Sequence, residues 1–155
     1  MSGTTYAGLG AGYALLSAVT GLASLASGAS ATLGPFDNTV ATLAGPAYEY
    51  ADLVIDLGTA TTFGTTAPVF VSAATLFAED GTNYEDSFAV SGQLYPISNT
   101  RQQTYPSSGV SASIIVIPAL PLRSTLGKVI VYNGSAVAFP AGSVASLYGY
   151  RGELA

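Results

Sequence analysis

Val129-Ile130-Val131-Tyr132-Asn133-Gly134-Ser135-Ala136-Val137-Ala138-Phe139 reads as two apolar strands joined by an Asn-Gly turn. Asn-Gly is the dipeptide a type I′ turn favours, because both central residues take positive φ there. The stretch predicts a β-hairpin, with strands at 128–132 and 136–139. From about residue 15 onward the chain keeps this style, with β-branched and aromatic runs between Gly, Pro, Asn, Asp and Ser clusters. That punctuation belongs to an all-β domain.

Outward from the hairpin, further strands follow from side-chain alternation. Between Glu49 and Leu57, Ala51, Leu53, Ile55 and Leu57 share one face, while Tyr50, Asp52, Val54 and Asp56 share the other. This is a half-buried strand with its carboxylates toward water. Val69 to Ala78 is apolar on both faces, which suits a strand covered on both sides. Asp80-Gly81 supplies a turn. Further runs lie at Phe88 to Ile97, Ser111 to Ala119 and Val144 to Tyr150, and Pro118 and Pro121 are expected to end the strand that precedes them. Ala14 to Leu25 and Ser30 to Pro35 are candidate additional strands. The expected fold is an all-β antiparallel sandwich or jelly roll of about eight strands over residues 35–155, preceded by an apolar N-terminal arm over residues 1–34.

Composition narrows the function. Charged residues are 8% of the 155, against roughly 25% in an ordinary soluble domain. There is no His, Cys or Trp. The single Lys128 and the scattered Arg101, Arg123 and Arg151 offer no patch for phosphate, so a nucleic-acid partner is not expected. Without cysteine there is no disulfide, thiolate chemistry or thiolate zinc site. A chain this long buries roughly 70% of its unfolded surface. The sparse charge suits a subunit covered by its neighbours. Residues 1–36 have no charged side chain. Gly, Ser and Thr interrupt every apolar run there and no basic residue precedes them, so a membrane span is not expected.

Candidate sites are few. Glu79 to Asp86 holds four of the nine carboxylates, but its spacing departs from a calcium loop and fits a solvated tip. Glu49, Asp52 and Asp56 can be weighed as a glycosidase acid pair, but Asp52 and Asp56 fall on the polar face of a strand, where carboxylates meet water, and Glu49 sits at its start. No histidine exists to activate a serine, and Lys128 lies in no nucleophile motif. Gly8-Leu9-Gly10-Ala11-Gly12 lacks the glycine spacing of a phosphate loop. Asn133-Gly134-Ser135 is a glycosylation sequon that the turn already explains. No catalytic residue, cofactor or metal is expected. Ten tyrosines suit an interface or a sandwich edge.

Phe36-Asp37-Asn38-Thr39, Tyr50 to Ile55, Asp80-Gly81-Thr82-Asn83-Tyr84, the Val129 to Gly134 segment and Tyr148-Gly149-Tyr150-Arg151 occur in an order that resembles small β-sandwich structural proteins of tailed-phage virions. The similarity spans roughly residues 15–152. It implies a capsid decoration or cement protein on the phage head surface, partnered by the major capsid protein or other virion proteins, homo-oligomeric and without enzymatic activity. In that reading the arm grips neighbouring subunits through Leu9, Tyr13, Leu16, Val19, Leu22 and Leu25, and deleting residues 1–34 leaves a folded β domain. A tail, neck or fibre component, or a carbohydrate-binding sandwich, is the alternative.

Overall fold

Alternation along Leu126–Gly134 sets the frame of the fold: Gly127, Val129, Val131 and Asn133 are buried, while the residues between them are half-exposed. In the computed structural model the described residues are 13–19, 22–38, 48–63, 69–78, 82, 84, 89–90, 93–94, 100–105, 111–123 and 126–151. All regular structure among them is β. The strands are β1 (Ala14–Val19), β2 (Ser30–Asp37), β3 (Tyr50–Thr62), β4 (Val69–Ala78), β5 (Ala89–Val90), β6 (Gln93–Leu94), β7 (Thr100–Tyr105), β8 (Ser111–Pro121), β9 (Leu126–Gly134) and β10 (Val144–Tyr150).

Two four-stranded antiparallel sheets are formed, in the orders β1-β10-β3-β8 and β2-β9-β4-β7, with β5 and β6 paired apart. Setting that short pair aside, first pairs with last, second with second-last, third with third-last and the middle two with each other. One long hairpin, bent between β4 and β7, has been wound so that its successive pairs alternate between sheets. This is the jelly-roll winding, and it matches the fold expected from the sequence. Leu53, Ile55, Ile115, Ile117 and Leu147 of the first sheet meet Leu33, Phe36, Val71, Val129 and Val131 of the second in one core. The fully buried Thr75 hydroxyl donates to the Pro121 carbonyl at 3.0 Å, tying one sheet to the other. β4 is buried on both faces beyond Phe70, as its doubly apolar sequence predicts.

Three expectations are corrected. The first concerns the Asn133-Gly134 hairpin. β9 runs through both residues, neither has positive φ, and Ala136 to Phe139 is not a strand. Asn133 is fully buried. Its Nδ2 donates to the carbonyls of Leu25 (2.9 Å) and Val137 (3.0 Å), while its Oδ1 accepts from the Ser135 amide (3.0 Å) and hydroxyl (2.6 Å). Gly134 is needed for space, since a Cβ there would lie 2.5 Å from the Phe70 carbonyl oxygen.

The second concerns the arm. β1 pairs with β10 and β2 with β9, so residues 14–19 and 30–34 belong to the sandwich and a boundary at 34 falls within β2. An edge strand supplies main-chain hydrogen bonds and one apolar face, for which charge is not required. Residues 1–12 lie outside the described residues. The third concerns Pro118 and Pro121, which do not end β8 before residue 121. They are accommodated because β8 is an edge strand, where a missing N–H can face away from the ladder. Of the run expected at 88–97, residues 89–90 and 93–94 are strand and the others lie outside the described residues.

Candidate interaction face

β3 lies inside the first sheet, and its register fixes what surrounds its outward side chains. Tyr148 of β10 stands opposite Asp52, Ser146 opposite Val54 and Tyr150 opposite Tyr50. On the other side Val116 of β8 stands opposite Val54, Ile114 opposite Asp56 and Pro121 opposite Tyr50. None of these residues is Lys or Arg. Ile114 is 43% exposed and Val116 36%. Two aliphatic side chains therefore stand in water side by side on one uncharged strand.

At one end of this face Tyr150 has a ring neighbour on each side, Tyr13 at 4.7 Å and Tyr50 at 5.8 Å between centroids. Asp52, only 6% exposed, anchors the cluster. Its Oδ1 accepts the Ala119 amide at 2.9 Å. That amide is available because β8 carries an extra residue between Ile117 and Leu120, with Ala119 at φ 57°. The Tyr150 hydroxyl is hydrogen-bonded to Asp52 and is pushed up to about 12, by burial first and then by the Asp52 charge. Burial and the same carboxylate also raise Tyr13. Asp52 thus departs from the expected solvated polar face. Its neighbours across the sheet are tyrosine and the β8 bulge, where the sequence pattern implied water.

The other weighed carboxylates are separate from this cluster. Asp56 is exposed, and its Oδ1 accepts the Gly58 amide at 2.8 Å. Glu49 is exposed, with its backbone amide donating to the Tyr150 carbonyl. Glu79, Asp80, Glu85 and Asp86 lie outside the described residues. Among the described residues no three His, Cys, Asp or Glu side chains gather to hold a metal. No helix among them is long and apolar enough to cross a membrane. Two of the four cations rest on rings, Arg123 at 5.1 Å from the Phe77 centroid and Lys128 at 4.3 Å from that of Tyr84.

Of the residues expected to grip a neighbour, Leu22 is fully buried in the chain's own core, and Leu16 and Leu25 pack against it. Val19 pairs through its backbone with Ala145. Leu9 lies outside the described residues. Tyr13 alone joins the outer face, through Tyr150. Sequence reasoning missed Tyr50, Ile114, Val116 and Tyr150 as a group. The signal was present in Ile114-Ile115-Val116-Ile117, a run apolar on both faces in a strand that buries only one. No protein-family model matches the chain, and no curated protein matches it.

Proposed function

We propose that this chain is a structural subunit of a virion, a decoration or cement protein on the head surface that stabilises the shell by packing between its building blocks. The observation that carries this reading is the outer face of the first sheet, where Ile114 and Val116 stand exposed on a strand without charge. Large apolar side chains grouped in this way mark interaction surfaces. Two further features support it. The jelly roll recurs in viral capsid domains, and 8% charge leaves few groups to keep neighbours apart.

The mechanism is mass action. A subunit that binds the assembled shell and not its dissociated parts shifts the equilibrium toward assembly, with no chemical step. The partner is the major capsid protein or another virion protein. Jelly rolls also serve lectins. The packing of Tyr150 against both Tyr13 and Tyr50, and its commitment to Asp52, favour packing over a sugar platform.

Particles purified on a density gradient from the culture that carries the gene test this directly. The chain is expected to co-migrate with the shell by mass spectrometry, and a reconstruction should show an eight-stranded sandwich on its surface. Absence from the particles overturns the reading. Absence combined with saturable binding on a glycan array replaces it with carbohydrate recognition.

A further inference from the structure

We propose that the open edge of β8 is a homodimer seam, on which a second copy of this chain docks its own β8 antiparallel. The first sheet then continues across a two-fold axis at Ile115. Among the described residues β3 is the only ladder partner of β8. The phase of that ladder follows from the Leu122 amide donating to the Glu49 carbonyl at 2.9 Å. Main-chain bonding alternates along antiparallel strands, so Ala51, Leu53 and Ile55 turn their polar groups toward β8. Their register partners Ile115 and Ile117 turn theirs back toward β3, which leaves those of Ile114 and Val116 facing the open edge. Pro118 and Pro121 fall in the same outward phase.

A second copy fits this edge for two reasons. The first is charge. β8 carries no charged residue over Ser111–Pro121, so two chains of net charge −5 meet there without like charges along the seam. Edge strands that stay unpaired are normally guarded by Lys, by Pro or by bulges. Here the prolines and the bulge guard 118–121, whereas 111–117 has no Lys, Pro or extra residue of its own. The second register shift of this ladder places its extra residues on β3, between Asp56 and Thr61. The second is self-complementarity. Antiparallel pairing centred on Ile115 sets Ile114 against the copy's Val116 and Val116 against the copy's Ile114. The two exposed aliphatics of one copy thereby cover those of the other.

This inference extends the assembly reading above but stands without a particle, because it is tested on purified full-length chain. The sequence has no cysteine, so each introduced thiol is the only one. Light scattering should give twice the chain mass, and Val116→Lys should give the chain mass with unchanged circular dichroism. Ile114→Cys and Val116→Cys chains, mixed and oxidised, should cross-link to each other. Opposed Cα atoms there are about 5.5 Å apart, within disulfide reach. Either variant alone should cross-link poorly, since its own pair lies on the diagonal at about 7–8 Å. A monomeric parent chain overturns the proposal, as does cross-linking that is no better in the mixture than in each variant alone. A monomer whose Ile114 and Val116 amides resist hydrogen exchange assigns the edge to another part of the same chain. A dimer missing from particles keeps the seam and retires the virion reading.

Discussion

Replacing Asn133 separates a buried tie from a turn residue, because the two roles rank its substitutions oppositely. In a turn, Asn→Asp is nearly neutral, since both residues tolerate positive φ. In the observed site, Asn133→Ala removes four hydrogen bonds, each worth about 1 kcal/mol net. The two carbonyl partners are not left bare: Leu25 still accepts from the Phe139 amide, and the Ser135 hydroxyl proton, released from Asn133, can turn to the Val137 carbonyl. The expected cost is therefore about 2–4 kcal/mol, a large part of a typical total of roughly 5–15 kcal/mol. Asn133→Asp keeps the Oδ1 contacts with Ser135 but points a second carboxylate oxygen at two carbonyls in a site with no solvent exposure. A buried charge left without a partner costs about 3–5 kcal/mol, so Asp is expected to be worse than Ala at neutral pH. Burial raises the pKa of the new carboxyl in the folded chain. The variant's deficit should therefore shrink as pH falls toward about 4, the unfolded value, where both states take the proton. Urea unfolding of the parent and both variants at two pH values measures this. If Asn133→Asp proves as stable as the parent at neutral pH, the buried-tie assignment is refuted.

Deleting residues 1–34 removes β1, most of β2, Leu22 and Leu33, so the truncated chain should lose cooperative unfolding. A folded product would contradict the topology. Gly134→Ala should lower stability by about 1–3 kcal/mol, because the new Cβ meets main chain that cannot swing aside; an unchanged thermal midpoint would show that β9 yields there. Tyr150 holds its proton more tightly in the folded chain, up to about 12, so its contribution is whole below about 10 and lost as pH rises between those values. Asp52→Asn removes the second cause of that shift and should lower the Tyr150 midpoint, read from phenolate absorbance as the difference from a Tyr150→Phe chain. A midpoint that does not move would remove Asp52 from the account.

The sheets were legible where burial follows simple alternation. β10 spans the residues expected of it, β4 is covered on both faces as its composition requires, and the core face of β3 is the one predicted. Failures came where a distant partner decides. Nothing near Asn133 in sequence shows that its amide meets the carbonyl of Leu25, 108 residues earlier. Local turn preference therefore pointed to a hairpin that tertiary hydrogen bonding overrides. Asp52 sat correctly on the outward side of β3, but whether that side is wet depends on Tyr148 and the Ala119 bulge, which register alone brings alongside. The absence of charge before Asp37 looked like detachment, whereas an edge strand needs only backbone pairing and a few apolar contacts. The outer face was written in the doubly apolar run of β8, yet only the sheet order shows that β8 is an edge.

The winding of the hairpin makes the first strand wait for the last. Ala14 pairs with Gly149, and Tyr13 meets Tyr150, so the aromatic end of the outer face is built from segments far apart in sequence. During synthesis β1 emerges first and has no ladder partner until β10 has been made. A chain broken off before residue 144 has no strand on which β1 can dock and cannot assemble the tyrosine cluster. Synthesis of β10 and readiness of this surface are thus one event, and fragments that stop short of it cannot present the cluster.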